Sequence, residues 1–362
     1  MAEQDALDTV VGAVEDPLLH RSLESLGMLR AAVSGRLGKA RIEVALPVPN
    51  YPFQDQLVGL ITAAAGEAGS KSVSVDFTLM TDDERASLMQ QLRPNREMVG
   101  GPGSKTRIIG VSSGKGGVGK SSVTSNLAVA LNRIGHSVGV IDADVWGFSV
   151  PKMMGADYAP IVIDESMIAP EMYGVKVMSM DYFVADDQAV IWRGPMLHKA
   201  MEQFLVDVFW DDPDFLLIDM PPGTGDIAIS LSQFLPRAQA LVVTTPQPAA
   251  QRVAKRAALM AEKVNQEVVG VVENMSWFTG DDGKRYNLFG EGGGATLAEE
   301  IGSVLLGQIP LVPAMREGAD HGRPVALADP GGEADVAFEQ LARAIVDRKP
   351  RVRTHPELVI RQ

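Results

Sequence analysis

The chain is 362 residues long, 46% hydrophobic and 22% charged, the balance of a folded globular protein of about two domains. Its formal net charge of −13 repels nucleic acid and anionic lipid, so neither is expected as a partner. It contains no cysteine, which excludes disulfides, thiolate metal sites and cysteine nucleophiles within the chain.

No apolar run approaches the roughly eighteen residues of a membrane span. The acidic opening, Met1-Ala2-Glu3-Gln4-Asp5, lacks the charged and apolar regions of a signal peptide, and a cytoplasmic location is expected. In chain order, Leu7 to Val14 has helical spacing, with Leu7, Val10, Val11 and Val14 on one face. Arg41 to Leu46 opens with the alternation of a half-buried strand. Leu57 to Ala65 reads as a helix, Ser72 to Phe77 as a strand, and Asp82 to Leu92 as a helix opened by Thr81. Residues 1–92 therefore read as a small α/β domain. Residues 93–106, with Arg93-Pro94-Asn95-Arg96 and Gly100-Gly101-Pro102-Gly103-Ser104, read as a linker.

From Arg107 the pattern changes. Short apolar runs at 108–111, 138–141, 215–218, 240–244 and 268–272 alternate with longer helical patterns. That alternation predicts βαβ units and a mostly parallel, doubly wound, buried sheet over residues 107–347. Gly290-Glu291-Gly292-Gly293-Gly294 reads as a glycine-rich turn. Residues 348–362 form a basic tail in which Pro350 and Pro356 break any helix, so it reads as a solvated end.

Residues Gly114, Lys115, Gly116, Gly117, Val118, Gly119, Lys120 and Ser121 fit the phosphate-loop pattern G-x-x-x-x-G-K-[ST]. The run Ile108-Ile109-Gly110-Val111 precedes them, and Val123, Leu127, Ala130 and Ile134 follow at helical spacing. Strand, loop and helix are the arrangement this chemistry needs. Glycines let backbone N–H groups turn around phosphate oxygens, and the helix N-terminus adds a favourable field. Lys120 would sit on the β- and γ-phosphates, and Ser121 would offer its hydroxyl to Mg²⁺.

Two carboxylate motifs follow, Ile141-Asp142-Ala143-Asp144 and Leu217-Ile218-Asp219. Carboxylates at the ends of parallel strands face the crevice where ligands bind. Asp219 suits the Mg²⁺ role, Asp142 could share it, and Asp144 suits a group that positions the attacking water. Gly223 and Gly225 suit a loop that reads the γ-phosphate and moves on hydrolysis.

Together these motifs resemble the Mrp/ApbC family of P-loop ATPases, within the wider class of MinD, ParA and the nitrogenase iron protein. The resemblance rests on Gly114–Ser122 (GKGGVGKSS), Asp142–Gly147 (DADVWG), Trp192–Met196 (WRGPM), Asp219–Asp226 (DMPPGTGD) and Val272–Trp277 (VENMSW). It implies that ATP closes a homodimer through Lys115, which reaches the partner's phosphates, against the alternative of an intrachain ion pair. It extends the nucleotide site to Ser122, places Asn274 at the adenine base, and puts Pro310 to Pro313 on the base-side loop. Arg193 lies in a family motif as an anchor or a nucleotide contact. The first ninety residues, with Asp16-Pro17-Leu18-Leu19 and Pro47–Pro52, resemble the small metal–sulfur cluster biosynthesis domain often fused to these ATPases.

The family is associated with carrying a 4Fe–4S cluster to apoproteins or assembly factors. Members that do so use a C-x-x-C pair shared between subunits. Here Gly280 and Gly283 stand at those positions, and Tyr51 precedes Pro52 where the N-terminal domain usually has its cysteine. Iron–sulfur clusters want soft thiolates, and Asp281, Asp282 and His321 are a poor substitute; Gly280-Asp281-Asp282-Gly283 reads as a tight turn. The expectation is a Mg²⁺-dependent ATPase acting in iron–sulfur protein maturation. The alternatives are a positioning switch of the MinD or ParA kind and a nucleotide-gated adaptor that hydrolyses little.

Overall fold

The computed structural model of the chain describes residues 2–93, 97–101, 103–145, 147–183, 194–223 and 231–350. The chain divides into two compact units: residues 1–96 with 161–168 and 207–209, and the remainder.

The first unit is built on a three-stranded sheet of β1 (Leu29–Ser34), β2 (Lys39–Leu46) and β3 (Ser72–Leu79), in that order. β1 runs antiparallel to β2, and β3 runs parallel to it. A parallel pair needs a crossover, and the Gln54–Glu67 helix supplies it. β2 alternates as its sequence does, burying Ala40, Ile42 and Val44 while Lys39 and Arg41 stay exposed. The Ala2–Gly12 and Gln54–Glu67 helices contribute Leu7, Val11, Leu57 and Ile61 to the core of this unit. The Asp82–Leu92 helix opens with a capping box, Thr81 and Glu84 each accepting from the other's backbone N–H. A hairpin of β6 (Ile161–Ile163) and β7 (Ser166–Ile168), far along the chain, adds Ile163 and Ile168 to the same core.

The second unit carries an eight-stranded sheet in the order β15-β12-β11-β4-β10-β5-β9-β8. Its strands are β4 (Arg107–Ser113), β5 (Val138–Asp142), β8 (Glu171–Met172), β9 (Val175–Ser179), β10 (Phe215–Asp219), β11 (Gln239–Thr244), β12 (Glu267–Asn274) and β15 (Leu305–Ile309). Every pairing is parallel except that of β8 with β9. A further two-stranded ribbon pairs β13 (Phe278–Thr279) with β14 (Arg285–Tyr286).

The Lys120–Arg133 helix follows β4 after the loop 114–119, and it is buried on nearly every side. Val123, Leu127 and Leu131 share a core cluster with Ile109 and Leu217 of the sheet and with Phe338 and Leu341 of the Glu333–Asp347 helix. Thr124, Ser125 and Asn126 are buried as well, because the helix is enclosed rather than half-solvated. Val99 and Gly100 are fastened to this unit. The Val99 N–H donates to Leu205 O at 3.0 Å, and a Cβ on Gly100 would meet Ile108 Cδ1 at 2.0 Å. Among the described residues, no helix is long and apolar enough to cross a membrane.

Among the described residues of the first unit, Asp16 is a fully buried carboxylate. Its Oδ1 accepts from Tyr51 Oη at 2.7 Å, from Leu19 N at 2.9 Å and from Leu18 N at 3.0 Å, and Oδ2 lies 2.8 Å from the same phenol. Burial pushes the Asp16 carboxyl up from its ordinary 3.8, while the Tyr51 bond and the two amides pull against that shift. The folded protein therefore holds this proton more tightly than the unfolded chain. The stability this provides is complete below pH 3.8 and is lost as pH rises through the folded value. Between about pH 4 and pH 7 the unfolding midpoint of Asp16→Asn should gain on wild type as pH rises, whereas a constant difference would refute the linkage. Tyr51→Phe, which strands the carboxylate, should cost about 1–3 kcal/mol in denaturant unfolding.

Candidate functional site

β4 delivers the chain into the loop 114–119. Gly114 passes so close to the Pro248–Lys263 helix that a Cβ would stand 2.1 Å from the Val253 carbonyl carbon. Gly117 and Gly119 both have φ of +79°, the left-handed region where only glycine is unstrained. A Cβ on Gly119 would also fall 2.2 Å from Asn274 Nδ2. The glycines are thus required by packing and by dihedral angle. The loop walls a cavity of about 250 Å³, also lined by Lys120, Ser121, Ser122, Asp144, Gly147 and Pro222. Cations, hydroxyls and a helix N-terminus converge there, which is the donor set an oligophosphate needs.

β10 lies between β4 and β5, in register so that Asp219 pairs with Val111 on one side and Asp142 on the other. Asp219 is fully buried and collects three side-chain donors. Oδ2 accepts from Lys120 Nζ and Ser121 Oγ, each at 2.6 Å, and Oδ1 accepts from Thr124 Oγ1 at 2.7 Å. Lys120 also stands 3.5 Å from Asp144 Oδ2. The structure therefore gathers Lys120, Ser121, Asp144 and Asp219 into one cluster. An oxygen-rich set of one hydroxyl and one carboxylate, with room for phosphate and water ligands, fits Mg²⁺. Thr124 is a residue that motif reading missed. No motif marks it: its helix also carries Ser122, Ser125 and Asn126, and only the Asp219 contact singles it out.

Asp142 is placed differently. Its Oδ1 accepts from the Asp144 N–H, and its Oδ2 from the N–H groups of Ser149 and Val150, at 3.0–3.1 Å. Both oxygens are thus committed to shaping the segment that carries Asp144 and Gly147. Burial first, and the Asp219 charge on the next strand second, push the Asp142 carboxyl up to about 7. Gly223, at φ +96°, donates its N–H to Ser113 O at 3.0 Å, which ties the segment after β10 to the end of β4. Gly225 and Asp226 of the same motif, and Arg193 and Trp192 of WRGPM, lie outside the described residues.

Lys115 points its ammonium at Gln247 Oε1, 3.5 Å away, and makes no ion pair among the described residues. Asn274 is buried and donates from Nδ2 to Val118 O at 2.9 Å, so it braces the phosphate loop directly. Pro310 is buried on a segment stitched to the loop after β12: Ser276 N–H donates to Ile309 O, and Leu311 N–H to Trp277 O.

The ribbon β13–β14 occupies the Gly280 to Gly283 region. Gly280 N–H donates to Lys284 O, and Gly283, at φ +72°, donates to Gly280 O, forming a tight turn. A Cβ on Gly280 would meet the Tyr286 ring at 2.9 Å. The Asp282 carboxylate accepts from the Lys284 N–H and the Tyr286 hydroxyl, and these bonds hold it below the usual carboxylate range. Among the described residues no group of three or more histidine, aspartate or glutamate side chains could hold a metal ion. This chain's own side chains do not fit an iron–sulfur cluster.

Two outcomes follow from the packing. Gly119→Ala should lower Mg·ATP affinity in calorimetry at least roughly tenfold, because the loop must shift to relieve both clash and dihedral strain. Lys120→Ala should destabilise the nucleotide-free protein by about 3–5 kcal/mol, because Asp219 is left buried without a cation. Adding Asp219→Asn should recover most of that loss in the double variant.

The family model described as ParA, NUBPL iron-transfer P-loop NTPase, matches residues 104–346. An iron-sulfur cluster carrier protein of Mycobacterium bovis is 43% identical over 355 residues, spanning 95% of this chain and 93% of the relative. One of Deinococcus radiodurans is 42% identical over 359 residues, spanning 98% and 97%. Among solved structures, a nucleotide-binding protein from Archaeoglobus fulgidus in complex with ADP superposes with a TM-score of 0.56 at 32% identity, covering 71% of this chain and 97% of that one. The cell division ATPase MinD of Pyrococcus furiosus superposes at 0.52 with 26% identity, covering 67% and 98%. The Gly114–Ser121 loop and its buried Asp219 partner fall inside the matched span, and the chain belongs to the NUBPL iron-transfer P-loop NTPase family of ParA type.

Proposed function

We propose that this protein is a Mg²⁺-dependent, homodimeric ATPase of iron–sulfur protein maturation, acting in the cytoplasm on iron–sulfur apoproteins or their assembly factors. The observation that carries it is the convergence of Lys120, Ser121 and Asp219 on one point at 2.6 Å, at the mouth of a glycine loop. The iron–sulfur role rests on relatives named iron-sulfur cluster carrier protein that match almost the whole chain. The working division is a metal–sulfur cluster biosynthesis-like domain over 1–92, a linker over 93–106, the ATPase domain over 107–347 and the basic tail.

Bound Mg²⁺, held by Ser121 and Asp219, would neutralise charge on the phosphates. Lys120 moves from Asp219 to the phosphates, exchanging a carboxylate for a phosphoryl oxygen at little cost in buried charge. The loop N–H groups hold the phosphates, and Asp144 orients water at the cavity. Lys115, held by one neutral contact, is available to a partner's nucleotide. Gly223 closes on the terminal phosphate. Asn274 keeps Val118 in place near the base, with Pro310 behind it.

The cargo cluster is bound by thiolates of another protein, because this chain has none. Nucleotide would then gate an encounter between donor and client. Steady-state phosphate release should fall at least roughly a hundredfold in Lys120→Ala, the scale of a lost transition-state cation; equal rates would remove the enzymatic claim. After anaerobic reconstitution the purified protein should carry no stoichiometric iron. One cluster per dimer on this chain alone would overturn the assignment of the ligands to a partner.

A further inference from the structure

Glu273 is buried, 1% exposed, and belongs to none of the chemistry above. Its carboxylate joins three segments. Oε1 lies 2.7 Å from Gln308 Nε2 on β15 and 3.0 Å from Ser276 Oγ on the loop after β12. Oε2 accepts from the Gly294 N–H at 2.5 Å, at the start of the Gly293–Glu300 helix. The contact explains the glycine-rich run 290–294. A Cβ on Gly294 would stand 2.7 Å from Glu273 Cβ, and one on Gly293 would meet Pro246 O at 2.4 Å. The run is there to let a helix N-terminus reach a buried anion.

Adjacent residues on a strand point to opposite faces. Glu273 faces this knot, and the next residue, Asn274, reaches Val118 O in the phosphate loop. We propose that Glu273 is a positioning residue for that loop: it pins the end of β12 between Gly294, Ser276 and Gln308, so that Asn274 meets Val118 in register. Losing the pin frees the end of β12, and the loop loses its brace although no loop residue has changed. The effect on nucleotide rests on ATP being the loop's ligand; the mechanical coupling does not.

The test is hydrogen–deuterium exchange on the nucleotide-free full chain, paired with calorimetry using Mg·ATP. Glu273→Ala should accelerate exchange in peptides covering 114–122 and weaken Mg·ATP binding by roughly tenfold, the scale of a lost buried hydrogen bond. Glu273→Gln should stay near wild type. Its amide oxygen still accepts from Gly294, its NH₂ donates to Ser276, and Gln308 can turn its own amide to match. Should Glu273→Ala fail to fold, Gln308→Ala, whose residue is exposed, reads the same way with a smaller effect. Acceleration confined to residues 276–311, or spread evenly over the second unit, would overturn the coupling. If wild type binds no Mg·ATP, the proposed function falls, and the exchange pattern still decides the role of Glu273.

Discussion

The site depends on one buried carboxylate. Asp219 sits at the end of a central strand, fully desolvated, and a charge in that position is sustainable only if donors surround it. Lys120, Ser121 and Thr124 supply them, and all three belong to the first turn and a half of the helix that the phosphate loop starts. Strand order therefore fixes chemistry. β10 must lie beside β4 for Asp219 to meet that helix, and β5 must lie beside β10 for Asp144 to come within 3.5 Å of Lys120. The same packing buries Asp142 level with Asp219; burial first and the neighbouring charge second drive it toward its neutral form, while its bonds to three backbone amides pull against them.

The same contact keeps Lys120 from standing unpaired where it is buried: its ammonium lies 2.6 Å from the Asp219 carboxylate, and neither side chain is open to solvent.

Much of this was legible in the sequence. The glycine loop, its lysine and serine, and the strand-end aspartates are local patterns; Lys115, Gly116, Gly117, Gly119, Lys120, Ser121, Ser122 and Asp144 line one cavity, and Asp219 lies behind it, bonded to Lys120. The five apolar runs fall within β4, β5, β10, β11 and β12. What could not be read is non-local. β1, with the sequence LRAAVS, carries no alternation and exists because β2 pairs with it. The β6–β7 hairpin joins a core drawn mostly from Leu7 to Met89, far back in the chain, which no window of sequence reveals. Thr124, Glu273 and Gln308 are polar residues whose partners come from distant strands, so neither periodicity nor motif marks them. Asn274 was visible as a family position, but its bond to Val118 O, a structural brace on the loop, is a tertiary fact.

The missing thiols are the opposite case, where the sequence is decisive and the structure supplies the reason that nothing replaces them. A cluster ligand must be soft and free of competing bonds. At the turn of the β13–β14 ribbon neither condition holds. The Tyr286 ring crowds the Cβ position of Gly280, and Asp282 is already bonded to Lys284 and Tyr286. In the first unit Tyr51, whose phenol is the strongest side-chain partner of Asp16, fills the position ahead of Pro52. Each place is built around side-chain hydrogen bonds of its own, Tyr51 with Asp16 and Tyr286 with Asp282. Restoring a thiol at Gly280 alone would force Tyr286 aside and break its bond to Asp282, and at Tyr51 it would leave a buried carboxylate short of a donor. At both places where the resemblance would put a thiol, the chain's own packing and hydrogen bonds take up the space, so a cysteine there would disturb contacts the fold already makes.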